Sequence, residues 1–341
     1  PHYFVIGVRC CMSKTIAIIG AGSWGTALAI HAHECGHRVR LWAHNPDTLH
    51  AIQTNRVNDI YLPGFPVPEE IEITSDETCV VDADYSLLVV PSIHFRSTFT
   101  RFHPHWESGA ALISCIKGME PETSKRISEI VQEMSGERFR FSVLSGPSFA
   151  KEVAQHNPTA VVIGSENREL GKEIQNDLRS HYFRLYYNPD VLGIEIGASI
   201  KNIIAIAAGV VSGLGYGYNT VSGLITRGLA ELNRLAIRLG ANPSTLSGLA
   251  GLGDLILTCT GHLSRNRQVG LELGRGKKID EITGPMRMVA EGVRTTAAVH
   301  KLAQKLNVPM PITEQVFKVI YEQRDPRAAI LELMTRELKE E

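Results

Sequence analysis

The chain has almost no net charge: 35 lysines and arginines stand against 36 aspartates and glutamates, a formal −1. No global field draws it to nucleic acid or to an anionic membrane, so anions must be bound at local sites. Cysteine pairs are lacking too. Cys10, Cys11, Cys35, Cys79, Cys115 and Cys259 form no CxxC and show no zinc-ligand spacing with histidine. Scattered thiols of this kind fit a reducing, cytoplasmic setting. There is no long apolar stretch without charge. The most apolar one, Ile194 to Val211, carries Glu195, Lys201 and Asn202, which argues against a membrane span. The first residues lack the basic region and the cleavage site of a secretory signal. The strand pattern starts just after Met12-Ser13-Lys14. Met12 therefore reads as the natural start, and residues 1–11 as an upstream extension or a cloning remnant. Internal repeats and low-complexity linkers are absent.

What is present is enough for two domains: 341 residues, 43% of them hydrophobic. The first half alternates short apolar runs with amphipathic segments. Strands are expected at Thr15–Ile19, Arg38–Trp42, Ser86–Val90, Ala110–Cys115, Phe141–Leu144 and Ala160–Ile163, with helices between them such as Thr26–Cys35 and Thr123–Met134. The runs are continuous rather than alternating, as in strands buried on both faces, so a parallel, doubly wound, Rossmann-like sheet is predicted. From about Asp190 the character changes. "DVLGIEIGASIKNIIAIAAGVVSGL" reads as a long helix, apolar nearly all round and therefore central. Helices are expected after it at Leu224–Leu239, Arg267–Leu273, Thr295–Leu306 and Thr313–Tyr321, and no strand. Asn-Pro in "YYNPD" breaks strand and helix alike, which divides the chain into a sheet-containing domain, 12–189, and an all-helical domain, 190–341.

"GAGSWG", Gly20 to Gly25, directly follows the first strand and opens a helix. Gly20 permits a tight turn, Gly22 lets a pyrophosphate approach the backbone, and Gly25 lets helix and strand pack closely. The pyrophosphate would sit at the helix N-terminus, with Ser23 and Trp24 placed to touch it. An NAD-selective site usually carries an acid at the end of the second strand, for the ribose 2′-OH. This chain has His44 and Asn45 there. The absence leans toward NADPH over NADH, with His44 either a partner of the 2′-phosphate or a surface loop histidine.

Several residues invite chemistry. Lys201 lies in the most apolar helix, where an ammonium must find partners or lose its proton. It is either a general acid–base group, with Asn202 as companion, or a lysine that snorkels to the helix edge. Asp254, aimed by Gly248, Gly251 and Gly253, either pairs with Lys201 or caps the following helix. In "SRNR", Ser264 reads as an N-cap, Arg265 can hold a phosphate through two parallel hydrogen bonds, and Asn266 follows; a plain solvated helix start is the other reading. Lys117 in "SCIKG" follows a strand, and so do Gly146, Ser148 and Ala150 in "LSGPSFAKEV"; ligands bind at such ends. Lys117 is otherwise a loop lysine. Val289 and Glu291 in "MVAEGVRTT" precede a helix, which they would either serve as a capping stretch or use to reach a ligand. Cys259 reads as a small buried residue, not a nucleophile.

Taken in order, GAGSWGTALA, SCIKG, SGPSFAKEV, ASIKNIIAIAAGVVSGLGYGYNT, GLAGLGDLILTCTG with SRNR, and AEGVRT resemble the NAD(P)-dependent glycerol-3-phosphate dehydrogenases of the bacterial type. The resemblance runs from Ser13 to about Tyr321. It implies reversible hydride transfer between NAD(P)H and dihydroxyacetone phosphate, giving sn-glycerol 3-phosphate for phospholipid synthesis, in a cytoplasmic homodimer. It also implies that Ser23, Trp24, His44, Lys117, Ala150, Arg265, Val289 and Glu291 touch the cofactor. Lys117, Gly146, Ser148, Lys201, Asp254, Ser264, Arg265 and Asn266 would touch the substrate, with Lys201 as proton acceptor in the oxidative direction. Lys201, Asp254 and Lys117 would form the catalytic set, and no metal is implied. Two rivals remain: a β-hydroxyacid-type dehydrogenase acting on a carboxylate, which would use the same turn and a similar lysine helix, and a non-catalytic NADPH-binding sensor, which would need no buried lysine facing Asp254.

Overall fold

Runs of isoleucine, valine and leucine in the first half form a sheet covered on both faces. The structure, a computed structural model, describes residues 12–286, 290–338 and 340. Its strands are β1 (Thr15–Ile19), β2 (Arg38–Trp42), β3 (Val57–Asn58), β4 (Leu62–Pro66), β5 (Glu72–Thr74), β6 (Tyr85–Leu88), β7 (Ala111–Ser114), β8 (Arg140–Ser145), β9 (Thr159–Gly164) and β10 (Phe183–Asn188). Eight of them form one sheet in the order β10-β9-β8-β7-β6-β1-β2-β5, while β3 and β4 make a separate hairpin. Along β1 the faces divide: Ile16 and Ile18 join one core, Ala17 and Ile19 the other. That division is what a doubly wound sheet requires, and it explains why the inner strands show no polar alternation.

The sheet departs from the expected all-parallel pairing at one step. β9 runs antiparallel to β8, and β10 then runs parallel to β9. The link between β8 and β9 contains only the five-residue helix Ala150–Ala154. Such a helix spans about 7 Å, well short of the roughly 20 Å of a six-residue strand, so it does not return the chain across the sheet. β9 therefore starts at the edge where β8 ends. β10 was not expected from the sequence; Tyr186–Asn188 of the anticipated junction are its last residues, and the break falls at Pro189.

Beyond it, no strand occurs among the described residues. The central helix Val191–Gly213 is buried along nearly its whole length. Around it pack Tyr218–Leu239, Asp254–Thr260, Arg265–Gly274, Glu291–Lys305 and Pro311–Tyr321, followed by an unanticipated last helix, Pro326–Met334. Glycine sets the closest of these approaches. A Cβ on Gly270 would lie 1.9 Å from the Ile206 carbonyl oxygen, and one on Gly209 would lie 2.1 Å from that of Arg267. No other residue fits between these two backbones.

The two domains are pinned by Glu195 of the central helix. Its carboxylate accepts from Arg126 Nη1 at 2.8 Å, from the Ser128 amide at 2.9 Å and from Ser128 Oγ at 2.6 Å. Burial pushes this carboxyl up, and the three donors offset only part of that rise.

Candidate active site

The glycine turn is built as its spacing predicts. Gly20 has φ +121° and its amide donates to the Trp42 carbonyl at 3.1 Å, which lays the turn beside the end of β2. A Cβ on Gly25 would sit 1.8 Å from the Gly20 carbonyl oxygen, so only glycine lets the helix Ser23–Glu34 start there. Gly22, its N-cap, supplies no side-chain acceptor, and no atom crowds its Cα. The first-turn N–H groups and the helix dipole thus face an open space, as a pyrophosphate needs. Trp24, in the first turn of that helix, has a buried Nε1 with no partner among the described residues. An orphaned indole donor beside an uncapped helix start fits a dinucleotide. Asn58, not singled out from the sequence, holds the turn in shape. Its amide donates to the Ala21 carbonyl at 2.9 Å and to Thr26 Oγ1 at 2.8 Å. No local pattern marks it, because its partners lie more than thirty residues upstream.

The central helix delivers Lys201 to the edge where β7 and β8 end. Lys201 Nζ lies 2.5 Å from Asp254 Oδ1 and donates to Thr258 Oγ1 at 3.1 Å. Lys117 Nζ lies 3.0 Å from Asp254 Oδ2 and donates to the Gly146 carbonyl at 2.8 Å. Ser148 Oγ stands 3.4 Å from the same ammonium. One carboxylate, 1% exposed, thus joins two lysines from different domains. Asp254 reaches this place because a π-helical turn, Leu249–Gly253, runs into the helix Asp254–Thr260. The snorkelling reading of Lys201 is not realised, since its side chain is buried and paired with Asp254. Burial pulls its pKa down from 10.5 to about 7; Asp254 acts upward against that, and Lys117 adds to the fall.

A hydrogen-bonded chain supports the trio. Asn202 Nδ2 donates to the Lys117 carbonyl at 3.0 Å, Asn266 Nδ2 donates to Asn202 Oδ1 at 2.9 Å, and the Gly292 amide donates to Asn266 Oδ1 at 2.9 Å. Ser264 caps its helix, accepting from the Arg267 amide at 3.2 Å. Arg265, next along, is exposed at that helix start. Glu291 is engaged by Ser92, whose amide (3.0 Å) and hydroxyl (2.6 Å) both donate to its carboxylate. Ala150 opens the short helix after β8, and Val289 lies outside the described residues. His44 is exposed just past β2, where Arg101 meets it. Cys259 is buried, and that burial pushes its thiol up to about 12, far from nucleophile range.

A dinucleotide turn and a buried, tunable lysine on one edge of a Rossmann-like sheet define an NAD(P)-dependent oxidoreductase. Models of the NAD-dependent glycerol-3-phosphate dehydrogenase N-terminus and C-terminus match residues 15–171 and 190–331, and the chain belongs to that family. It is 48% identical over 333 residues to glycerol-3-phosphate dehydrogenase [NAD(P)+] of Citrifermentans bemidjiense, spanning 97% of this chain and 99% of that one. The enzyme of the same name from Syntrophotalea carbinolica is 45% identical, over 96% of this chain and 99% of its own. The crystal structure of glycerol-3-phosphate dehydrogenase from Coxiella burnetii superposes with a TM-score of 0.92 at 41% identity, covering 95% and 99% of the two chains.

Proposed function

We propose that the protein reduces dihydroxyacetone phosphate to sn-glycerol 3-phosphate, reversibly, and that Lys201 carries the proton. The observation behind that role is the pairing of a buried Lys201 with Asp254 beside the ends of β7 and β8. Bound NAD(P)H supplies the hydride. In the reducing direction the Lys201 ammonium polarises the ketone and protonates its oxygen as charge develops there. In the oxidative direction neutral Lys201 takes the hydroxyl proton. Asp254 orients Lys201 and balances two ammonium groups. Lys117, bridging Asp254, Gly146 and Ser148, closes the site from the sheet side. Arg265 and the amides after Ser264 grip the phosphate, which sets the carbonyl carbon against the nicotinamide. Asn266 acts by holding Asn202 and the Gly292 amide.

Residues 12–189 serve as the nucleotide domain and 190–341 as the substrate domain; the end of β10 at Asn188 and the start of the central helix at Val191 support this division. Ser23, Trp24, His44, Ala150, Val289 and Glu291 are assigned to the cofactor side, supported by the open turn and the unpartnered Trp24 indole. The product, a glycerol phosphate, suits glycerophospholipid assembly. A cytoplasmic homodimer fits the buried thiols of Cys79, Cys115 and Cys259 and the exposed Tyr218, Leu331 and Met334 of the second domain.

The test is loss of nicotinamide absorbance when dihydroxyacetone phosphate is added to protein with NADPH or NADH. Rapid oxidation supports the assignment. Cofactor binding without oxidation would overturn it and return the carboxylate-substrate and sensor readings.

A further inference from the structure

The end of β2 carries no acid in the sequence, yet the fold brings one there together with a cation. Arg101, in the last turn of the helix Ser92–Phe102, places Nη1 3.2 Å from His44 Nδ1. Its Nη2 pairs with Glu77, which opens the short 3-10 helix Glu77–Val80. The guanidinium lies over the buried Trp42 ring, 5.3 Å from its centroid, and Trp42 in turn stacks against His44 at 5.7 Å. These groups stand where the second strand of a dinucleotide fold meets the adenosine ribose, because the Gly20 amide is bonded to the Trp42 carbonyl.

We propose that Arg101, with His44, forms the subsite for the 2′-phosphate of NADPH, and that Glu77 and Trp42 hold the guanidinium in position. Three observations favour a phosphate over a bare 2′-hydroxyl. First, the Glu77 carboxylate is paired with Arg101 through Oε1, so the end of β2 presents an acid compensated by a cation, unlike the lone acid of an NAD site. Second, guanidinium has five donors in a planar fork, and Arg101 remains 44% exposed after its two contacts, leaving donors for a bidentate phosphate. Third, the neighbouring helix Pro46–Asn55 has no amide to offer at its start: Asn45 Oδ1 already accepts from the amides of Asp47 (2.8 Å) and Thr48 (3.1 Å). The charge for the phosphate must therefore come from across the strand, and Arg101 supplies it.

The inference rests on the NAD(P)H reading of the glycine turn, and titration calorimetry separates the two. The probes are NADPH, NADH, 2′,5′-ADP and 5′-AMP, with wild type and Arg101→Ala. Arg101→Ala is expected to weaken NADPH and 2′,5′-ADP by about tenfold or more, the worth of a charge-assisted contact, with NADH and 5′-AMP within about twofold. Retained NADH affinity also shows that the variant is folded. Equal weakening of both nucleotides, or no weakening of NADPH, overturns the subsite. Failure of the wild type to bind either nucleotide overturns the cofactor reading itself.

Discussion

Lys201 Nζ and Asp254 Oδ1 stand 2.5 Å apart, both almost wholly withdrawn from solvent. An ammonium in so apolar a helix would be expelled or neutralised without this partner. The carboxylate does more than compensate it. It sets where the lysine titrates, between desolvation and the repulsion of Lys117, which pull downward, and its own attraction, which pulls upward.

Removal of the amine should abolish proton transfer and leave the cofactor site intact. Lys201→Ala is expected to lower kcat by about 10²–10⁴-fold, the range of general acid–base catalysis, with little change in the Kd for NADH. Steady-state kinetics beside a binding titration would check it. A near-normal kcat would remove Lys201 from the reaction.

The pH profile carries a sign. Reduction needs the ammonium, so its kcat/KM should be full at low pH and fall as pH rises through about 7, where Lys201 loses its proton. Oxidation needs the neutral amine and should rise through the same range. Asp254→Asn takes away the attraction that opposes burial and Lys117, so the fall in the reduction profile should move to lower pH by about one unit or more. An unmoved limb would show that another group titrates.

The phosphate grip can be separated from the chemistry. Arg265→Ala should raise KM for dihydroxyacetone phosphate by about 1.5–3 kcal/mol, a factor of about 10–150, and affect kcat less. Non-phosphorylated dihydroxyacetone should then lose its disadvantage as a substrate. If KM for the phosphate ester stays put, the anion site lies elsewhere.

Packing of the second domain hinges on a backbone contact. Gly270→Ala places a methyl 1.9 Å from the Ile206 carbonyl oxygen, where the central helix must move to make room. Loss of about 1–3 kcal/mol is expected, read from denaturant unfolding at unchanged slope. Wild-type stability would mean that the two helices separate freely.

Much of the architecture could be read from local pattern. Continuous apolar runs marked β1, β2, β6, β7, β8 and β9, and the glycine turn announced the first helix. β10 was missed because Phe183–Asn188 alternates buried and exposed residues beside a strand breaker, and β5 because three residues make no pattern. The reversal of β9 was not legible either, since strand direction depends on how far the connecting segment carries the chain. At the site, Lys201, Asp254 and Lys117 were each visible as chemically odd residues, but Thr258, Asn58, Ser92, Arg101 and Glu77 were not. Each of those is an ordinary residue in its own segment.

The sequence by itself determined the class of fold, the nucleotide turn and the residue types that chemistry needs, because periodicity, glycine spacing and a lysine amid apolar neighbours are local properties. Only the tertiary structure decided that one buried carboxylate serves two lysines, that Asn266 and Glu291 are held by neighbours, and that Glu77 and Arg101 meet at the end of β2. Those relationships join segments far apart in the chain. Distance, burial and the competition between desolvation and pairing exist only once the segments have packed.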